Sequence, residues 1–477
     1  MAYEGYVDFA DESLVRGWVY DSANPDAPLP VEFLCGDTVV ASGTADGFRA
    51  DLLAAGKGSG WHAFSYQAGP VPMPGVLSAR LAGKLWRLPS AGPLEGAPPP
   101  RFVRGLTHSL EFGWPSVSGG FTAAPSDPRL DLVERLLSAY HRAVRDDPNA
   151  PFAESDVWSQ LTRLCHAEVV GFIRDRDVRA LAACLADAHA TNLTFGITQG
   201  LLTTAALRER ADARLLELTR FQDYLASLAE YLGILDVESP EQHGRWAENF
   251  HESPDRLIAS ISAQIGIQVV PPPVIGSLFG IKTATGILSG RDLLSLFAAL
   301  RLREVAAASS LVRPSVCEIG AGLGGAAFYA QKLGVGRYTI IDLPLVNMLQ
   351  SYYLICALPG AKIRLYGEPP TADDELVILP TWTFNDSLPK SDLLFNCDSF
   401  PEMNRKYSVG YLTQARRTIS HGFLSINQEA HAPQNPSESQ PAVRDLVREA
   451  GGYARVSRNR HWLRPDYLDE FYAVQSG

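Results

Sequence analysis

The stretch V-C-E-I-G-A-G-L-G-G, Val316 to Gly325, followed by a helical segment and then Y-T-I-I-D, Tyr338 to Asp342, decides the fold of this chain. An apolar strand runs into a glycine-rich turn, a helix follows, and a second strand closes on a carboxylate. That is the order of a nucleotide-cofactor half-site in a parallel α/β sheet. Glycines let the backbone approach a ligand, and the helix start offers N–H groups with no intrahelical partner. Asp342, about twenty residues past the turn, stands where a carboxylate accepts both ribose hydroxyls.

Two cofactor classes fit this geometry. Gly320, Gly322 and Gly325 satisfy the dinucleotide pattern G-x-G-x-x-G. Glu318, two residues before the first glycine, argues against it, because a negative charge at the strand end repels a pyrophosphate. S-adenosylmethionine instead brings a cationic amino-acid end. The order E-x-G-x-G-x-G, formed by Glu318, Gly320, Gly322 and Gly324, resembles motif I of class I methyltransferases. The resemblance implies cofactor contacts at these residues, at Asp342 and its neighbour Leu343, and at Asp398.

The chain has 477 residues, 46% of them hydrophobic and 20% charged, enough for two or three domains with real cores. A formal charge of -11, with no basic stripe, argues against a nucleic-acid partner. Six cysteines without a C-x-x-C pair give neither a disulfide framework nor a zinc knuckle, so a reducing cytoplasm is the expected compartment. The N-terminus lacks the pattern of a secretory signal, and no run of about eighteen apolar residues reads as an integral membrane segment.

From Tyr3 to about Leu88, short alternating strands such as G-Y-V-D, G-W-V-Y-D and W-H-A-F-S-Y are split by Gly, Asp, Asn and Pro. They predict a small all-β sandwich over residues 1–90. Its motif order resembles an accessory module fused to bacterial glycosyltransferases. A Trp in a short strand is usually core, the reading favoured here for Trp18 and Trp61 over stacking on a sugar face. Residues 91–126, rich in Pro and Gly, read as a linker. Residues 127–310 repeat apolar positions at three and four and predict a helical substrate-side region, opened by Asp127 with Pro128 at the first helical position. Breaks in these helices near the glycine turn make Glu248, Asn249, His251 and Lys282 secondary site candidates.

From residue 311 to the end the pattern becomes strand, helix, strand. Strands are expected near 316–319, 338–341, 361–366, 392–396, 423–427, 453–458 and 471–475: a Rossmann-like α/β sheet of seven strands, the number of a class I methyltransferase sheet, whose last strand runs antiparallel. Three further blocks narrow the resemblance: I-D-L-P with Q-S-Y-Y-L downstream, N-C-D-S-F-P-E-M, and F-L-S-I-N-Q-E-A. Together with motif I they are similar to a family of sugar O-methyltransferases of bacterial surface-saccharide clusters, across roughly the last 240 residues. The resemblance implies a saccharide, glycolipid or nucleotide-sugar acceptor.

In an open parallel sheet, ligands bind beyond the carboxyl ends of the strands. Asp398, Ser399 and Glu402 follow the fourth strand, and Asn427, Gln428, Glu429 and His431 the fifth, so both groups are expected to face the crevice. His421, in a turn at the opposite edge, reads as structural or surface. A sugar hydroxyl needs a group to take its proton as the new bond forms. Asp398 and Glu402 are the first candidates and His431 the next, whereas Glu402 also has the position of a carboxylate stabilising a helix start. Asp398, Glu402 and Glu429 are the oxygen set that would hold a magnesium ion, although no spacing signature supports one. The competing readings are an NAD(P)-dependent nucleotide-sugar oxidoreductase or epimerase and a non-catalytic saccharide-binding protein.

Overall fold

The computed structural model describes residues 3–36, 38–68, 75–84, 87–89, 116–126, 129–148, 162, 165–238, 248–429, 433–435, 438–464 and 466–475. The chain divides into two compact units, Met1–Arg101 and Phe102–Gly477.

The first unit contains β1 (Tyr3–Ala10), β2 (Leu14–Asp21), β3 (Leu29–Cys35), β4 (Thr38–Ala45), β5 (Gly47–Phe48), β6 (Trp61–Gln67) and β7 (Leu77–Leu81). They form two antiparallel sheets, ordered β1-β2-β6-β5 and β4-β3-β7. Val7, Val15 and Phe64 of one sheet and Val31, Phe33 and Leu77 of the other share a single apolar core. The two-residue period of β6 turns His62 and Phe64 inward and leaves Trp61 54% exposed. The expectation of a core Trp61 is therefore corrected: its neighbour holds the inner face. Trp18 is half-buried.

The second unit opens with β8 (Gly119–Phe121), which pairs with β9 (Phe279–Thr283), itself joined to β10 (Gly286–Leu288). Gly119–Phe121 thus lies in a sheet, although it falls inside the stretch read as linker. The Asp127–Pro128 helix start lies outside the described residues. The helix after it runs Leu130–Asp146, and its buried Leu132, Val133, Leu136 and Leu137 keep the three-and-four spacing. Further helices span Ala167–Asp175, Val178–Ala186, Leu201–Glu209, Ala211–Tyr231, Pro254–Ile265 and Gly290–Ala308.

The large sheet contains β11 (Val316–Ile319), β12 (Tyr338–Asp342), β13 (Ile363–Leu365), β14 (Leu376–Pro380), β15 (Ser391–Cys397) and β16 (Ile419–Gln428). A short pair follows, β17 (Pro433–Asn435) and β18 (Glu438–Ser439), and then β19 (Tyr453–Arg460) and β20 (Tyr467–Val474) complete the sheet. Its order is β13-β14-β12-β11-β15-β16-β20-β19. All pairs are parallel except those of β20, which runs antiparallel to both neighbours. The sheet has eight strands where seven were expected. The additional one, β14, lies inside the sheet, and β13 is a short edge strand.

Both faces of the sheet are covered, so β11 is buried at every position. Val316, Ile340 and Phe395 face the helical region in one core with Leu293, Leu296 and Phe297. Cys317, Ile341 and Leu394 face the other way, with Leu412 and Leu446. The helices of residues 130–308 therefore share a core with the sheet, and the change of period near residue 310 falls inside one compact unit.

Candidate active site

The carboxyl ends of β11, β12, β14 and β15 open into a cavity of about 1080 Å³. The glycine turn forms part of its wall. Gly320, Gly322 and Gly324 have φ of 72°, 58° and 87°, the left-handed region that side chains rarely adopt. Gly324 caps the helix Gly325–Lys332. At Gly325, an added Cβ would come 2.4 Å from Ser295 Oγ on the helix Gly290–Ala308, so this glycine serves close helix packing. That second helix starts with a reciprocal capping box: Asp292 N donates to Ser289 Oγ at 3.2 Å and Ser289 N to Asp292 Oδ2 at 2.9 Å. Its first turn brings Arg291 into the cavity wall.

Glu318, Gly320, Gly322, Asp342, Leu343, Asp398, Ser399 and Glu402 all line the cavity, and Gly324 falls between two lining residues, Leu323 and Gly325. Tyr338 Oη donates to Glu318 Oε2 at 2.8 Å. Burial, opposed by this bond and reinforced by the charge of Asp342, pushes the Glu318 carboxyl up to about 8. Asp342 accepts from Leu343 N at Oδ1 (2.8 Å) and Gln350 Nε2 at Oδ2 (2.6 Å), and the backbone N–H groups of Gly322 and Ala321 also favour its ionised form. Burial still carries it up to about 6. Among the described residues neither carboxylate has a Lys, Arg or His partner.

Asp398 is different. Burial raises its carboxyl, but Arg464 and then Arg291 outweigh burial and hold it below its ordinary value. Arg464 Nη1 donates to Oδ1 (2.8 Å) and Oδ2 (2.6 Å), and Arg291 Nη1 to Oδ2 (3.1 Å). The backbone at Asp398 has φ 62°, a strained value for a residue with a side chain. Two guanidinium groups thus favour the ionised form of Asp398. Glu402, in the turn Phe400–Glu402, has the opposite environment: burial first, then the Asp398 charge, push it up to about 7.

Ser399 and Asn396 clamp the turn. Ser399 Oγ donates to the Ile319 carbonyl (3.1 Å), Asn396 Nδ2 donates to the same oxygen (2.8 Å), and Asn427 Nδ2 donates to Asn396 Oδ1 (3.0 Å). Asn427, Gln428 and Glu429 are absent from the cavity wall, against expectation. β16 pairs with β20 as far as Gln428 opposite Tyr467, so Asn427 and Gln428 stay in the ladder. Gln428 donates to Gln440, and Glu429 accepts from Arg444 and Arg458. Asp398, Glu402 and Glu429 therefore do not gather as an oxygen set for magnesium. His431 lies outside the described residues.

Glu248, Asn249, His251 and Lys282 are absent from the cavity wall. Asn249 instead donates to Glu230 Oε1 and the Asp236 carbonyl. Pro271 to Pro273 and Ile275, between the helix Pro254–Ile265 and β9, line the cavity. His421 is bonded to Ser420 at the amino end of β16, away from the site. Residues unforeseen in the sequence are Arg291, Arg464 and Tyr467, the histidines His189 and His461, and the aromatic wall of Trp382, Phe384 and Tyr411. The capping-box sequence S-G-R-D was the one local signal for Arg291.

Neither a protein-family model nor a curated protein sequence matches this chain. Solved structures similar to it include magnesium protoporphyrin IX methyltransferase from Synechocystis with bound S-adenosylhomocysteine, 12% identical over 39% of this chain and 86% of that one, TM-score 0.29. A SAM-dependent methyltransferase from Aquifex aeolicus is 16% identical over 38% and 92%, TM-score 0.27. The N-terminal domain of EvdMO1, in the presence of S-adenosylhomocysteine and D-fucose, is 11% identical over 38% and 83%, TM-score 0.27.

Proposed function

We propose that this chain is a cytoplasmic S-adenosylmethionine-dependent O-methyltransferase whose acceptor is a sugar hydroxyl of a saccharide, glycolipid or nucleotide-sugar precursor. The observation that carries the cofactor is the pair Glu318 and Asp342: two buried carboxyls beside an open glycine turn, with no protein cation paired to either among the described residues. A ligand with a cationic end favours the ionised form of both carboxyls, whereas a dinucleotide pyrophosphate disfavours it. Glu318 takes the ammonium end, and Asp342 takes the ribose hydroxyls. Trp382, Phe384 and Tyr411 offer flat apolar walls for a purine.

When bound, S-adenosylmethionine supplies an electrophilic methyl, so that an O–CH₃ bond forms as the S–CH₃ bond breaks and its electron pair stays on sulfur. Glu402 receives the hydroxyl proton, because its carboxyl is balanced near neutrality inside a buried site. Asp398, fixed as an anion by Arg464 and Arg291, orients those guanidinium groups and keeps Glu402 basic through its charge. The sugar assignment is supported by the I-D-L-P and N-x-x-S-x-x-E-M resemblance. In the unit of residues 1–101 we assign a saccharide-contacting accessory role, supported by exposed Trp61 packed 5.3 Å from exposed Phe48. Calorimetry with S-adenosylhomocysteine and with NAD(H) tests the cofactor: heat with the first alone is expected, and heat with the second alone overturns the proposal. Product mass and linkage analysis of saccharide from cells with and without the protein tests the acceptor.

A further inference from the structure

Two histidines line the cavity with hydrogen-bonding polarities fixed by the backbone, and the two polarities are opposite. His189, in the turn Ala188–Ala190, is 1% exposed. Its Nδ1 lies 3.0 Å from the Gly276 carbonyl oxygen. A carbonyl only accepts, so Nδ1 carries the proton and Nε2 presents a lone pair. That Nε2 is buried and has no hydrogen-bond partner. His461, just after β19, is 5% exposed and packs its ring 4.4 Å from that of Phe297. Its Nδ1 faces the backbone N–H groups of Leu463 and Arg464, each at 3.0 Å. An N–H only donates, so Nδ1 holds the lone pair and the proton resides on Nε2.

Both rings stay neutral. Burial, against the pull of the Gly276 carbonyl and Asp187, takes His189 down to about 4. Burial together with Arg464 and Arg301, against Asp398, takes His461 down to about 3. One cavity therefore offers a dedicated acceptor and a dedicated donor, neither of which reverses. A carboxylate or phosphate has only lone pairs to set against the His189 acceptor, and an ammonium has only N–H bonds to set against the His461 donor. An aliphatic hydroxyl satisfies either.

Resting on the methyltransferase reading, we propose that His189 Nε2 and His461 Nε2–H are the residues that read the acceptor, one accepting from and the other donating to hydroxyls of a pyranose. An unpartnered buried nitrogen beside a bound sugar costs binding free energy, which makes the pair specificity-determining.

Asparagine variants isolate the role. In His189→Asn the side-chain amide can still donate to the Gly276 carbonyl, and in His461→Asn the amide oxygen can still accept from Leu463 and Arg464. Each keeps the turn and removes the group at Nε2. The full chain, labelled with ¹⁵N-histidine and saturated with S-adenosylhomocysteine, is titrated with the methyl glycosides of glucose, mannose, fucose and rhamnose. The expected spectra show His189 as the Nδ1–H tautomer and His461 as the Nε2–H tautomer. Both should shift with at least one of these glycosides. Each asparagine variant should lose about tenfold or more in glycoside affinity, keep its S-adenosylhomocysteine affinity, and in the His189→Gln variant regain part of the loss. Reversed tautomers, rings that no glycoside moves, or variants that bind glycoside normally overturn the proposal. A fall in S-adenosylhomocysteine affinity also overturns it, since the hydroxyls read would then be those of the cofactor ribose. Wild-type protein that fails to bind S-adenosylhomocysteine overturns the methyltransferase reading instead.

Discussion

A Cβ added to Gly320 would stand 2.2 Å from the Oγ of Ser399, the serine that donates to the carbonyl of Ile319 beside it. The glycine turn and the loop after β15 thus hold one another in register. Gly320→Ala meets both this clash and a left-handed backbone worth roughly 1–2 kcal/mol. The variant should melt several degrees lower and bind S-adenosylhomocysteine weakly. Adding Ser399→Gly should restore part of the melting temperature, because it removes the clash and leaves the backbone strain. A double variant no better than the single would show that Ser399 is not what excludes a side chain there.

Asp342→Asn separates ribose binding from folding. The introduced amide can donate to Gln350 Oε1, which has no partner in the wild type, once the Gln350 amide turns over. Stability should then change little, while S-adenosylhomocysteine affinity falls by about one to two orders of magnitude, the value of charge-assisted hydrogen bonds of roughly 1.5 to 3 kcal/mol. Calorimetry on the folded variant is the check, and an unchanged affinity removes Asp342 from the site.

Legibility in the sequence tracked distance along the chain. Glu318, the glycines and Asp342 lie within one strand–turn–helix–strand unit, where spacing alone fixes geometry, and all line or abut the cavity. Arg464 and Arg291 reach Asp398 across 66 and 107 residues, and no local pattern encodes such a meeting. Their arrival pairs Asp398 with two guanidinium groups. β14 escaped for another reason: L-V-I-L-P is buried at all five positions and shows no alternation, so its period is silent. Asn427 and Gln428 were expected beyond a strand end and lie within β16, because the sequence shows where a strand is apolar but not how far its partner accompanies it.

Glu318→Gln should alter how stability depends on pH. The folded carboxyl titrates at about 8 against an ordinary 4.5. The native state therefore retains a proton that the unfolded chain loses. Stability from this group is complete below pH 4.5 and is lost as pH rises through about 8. Relative to wild type, the glutamine variant should lose less melting temperature across that window. Parallel curves would mean that Glu318 is ionised in the folded protein without ligand.

A chain beginning at Phe102 should bind S-adenosylhomocysteine as the full chain does, because residues 102–477 form a compact unit with cores of their own. Loss of binding in a soluble, monodisperse truncation would make the first unit part of the site. A fall in affinity for a long saccharide, with a short one unaffected, would support the accessory role assigned to the first unit.

The proton-transfer step is tested by pairing two variants. Glu402→Gln should keep S-adenosylhomocysteine affinity and lower turnover by roughly 10²- to 10⁴-fold, measured as S-adenosylhomocysteine release with saccharide extracted from cells lacking the protein. In the wild type the reactive form is the carboxylate, so the rate should rise with pH through about 7. Asp398 contributes to that elevated value and Arg291 and Arg464 oppose it. Removing the Asp398 charge in Asp398→Asn therefore lowers the Glu402 value, and the rising limb should move to more acid pH even as turnover falls from disordered arginines. A limb that stays in place in Asp398→Asn, or survives in Glu402→Gln, would assign the proton to another group.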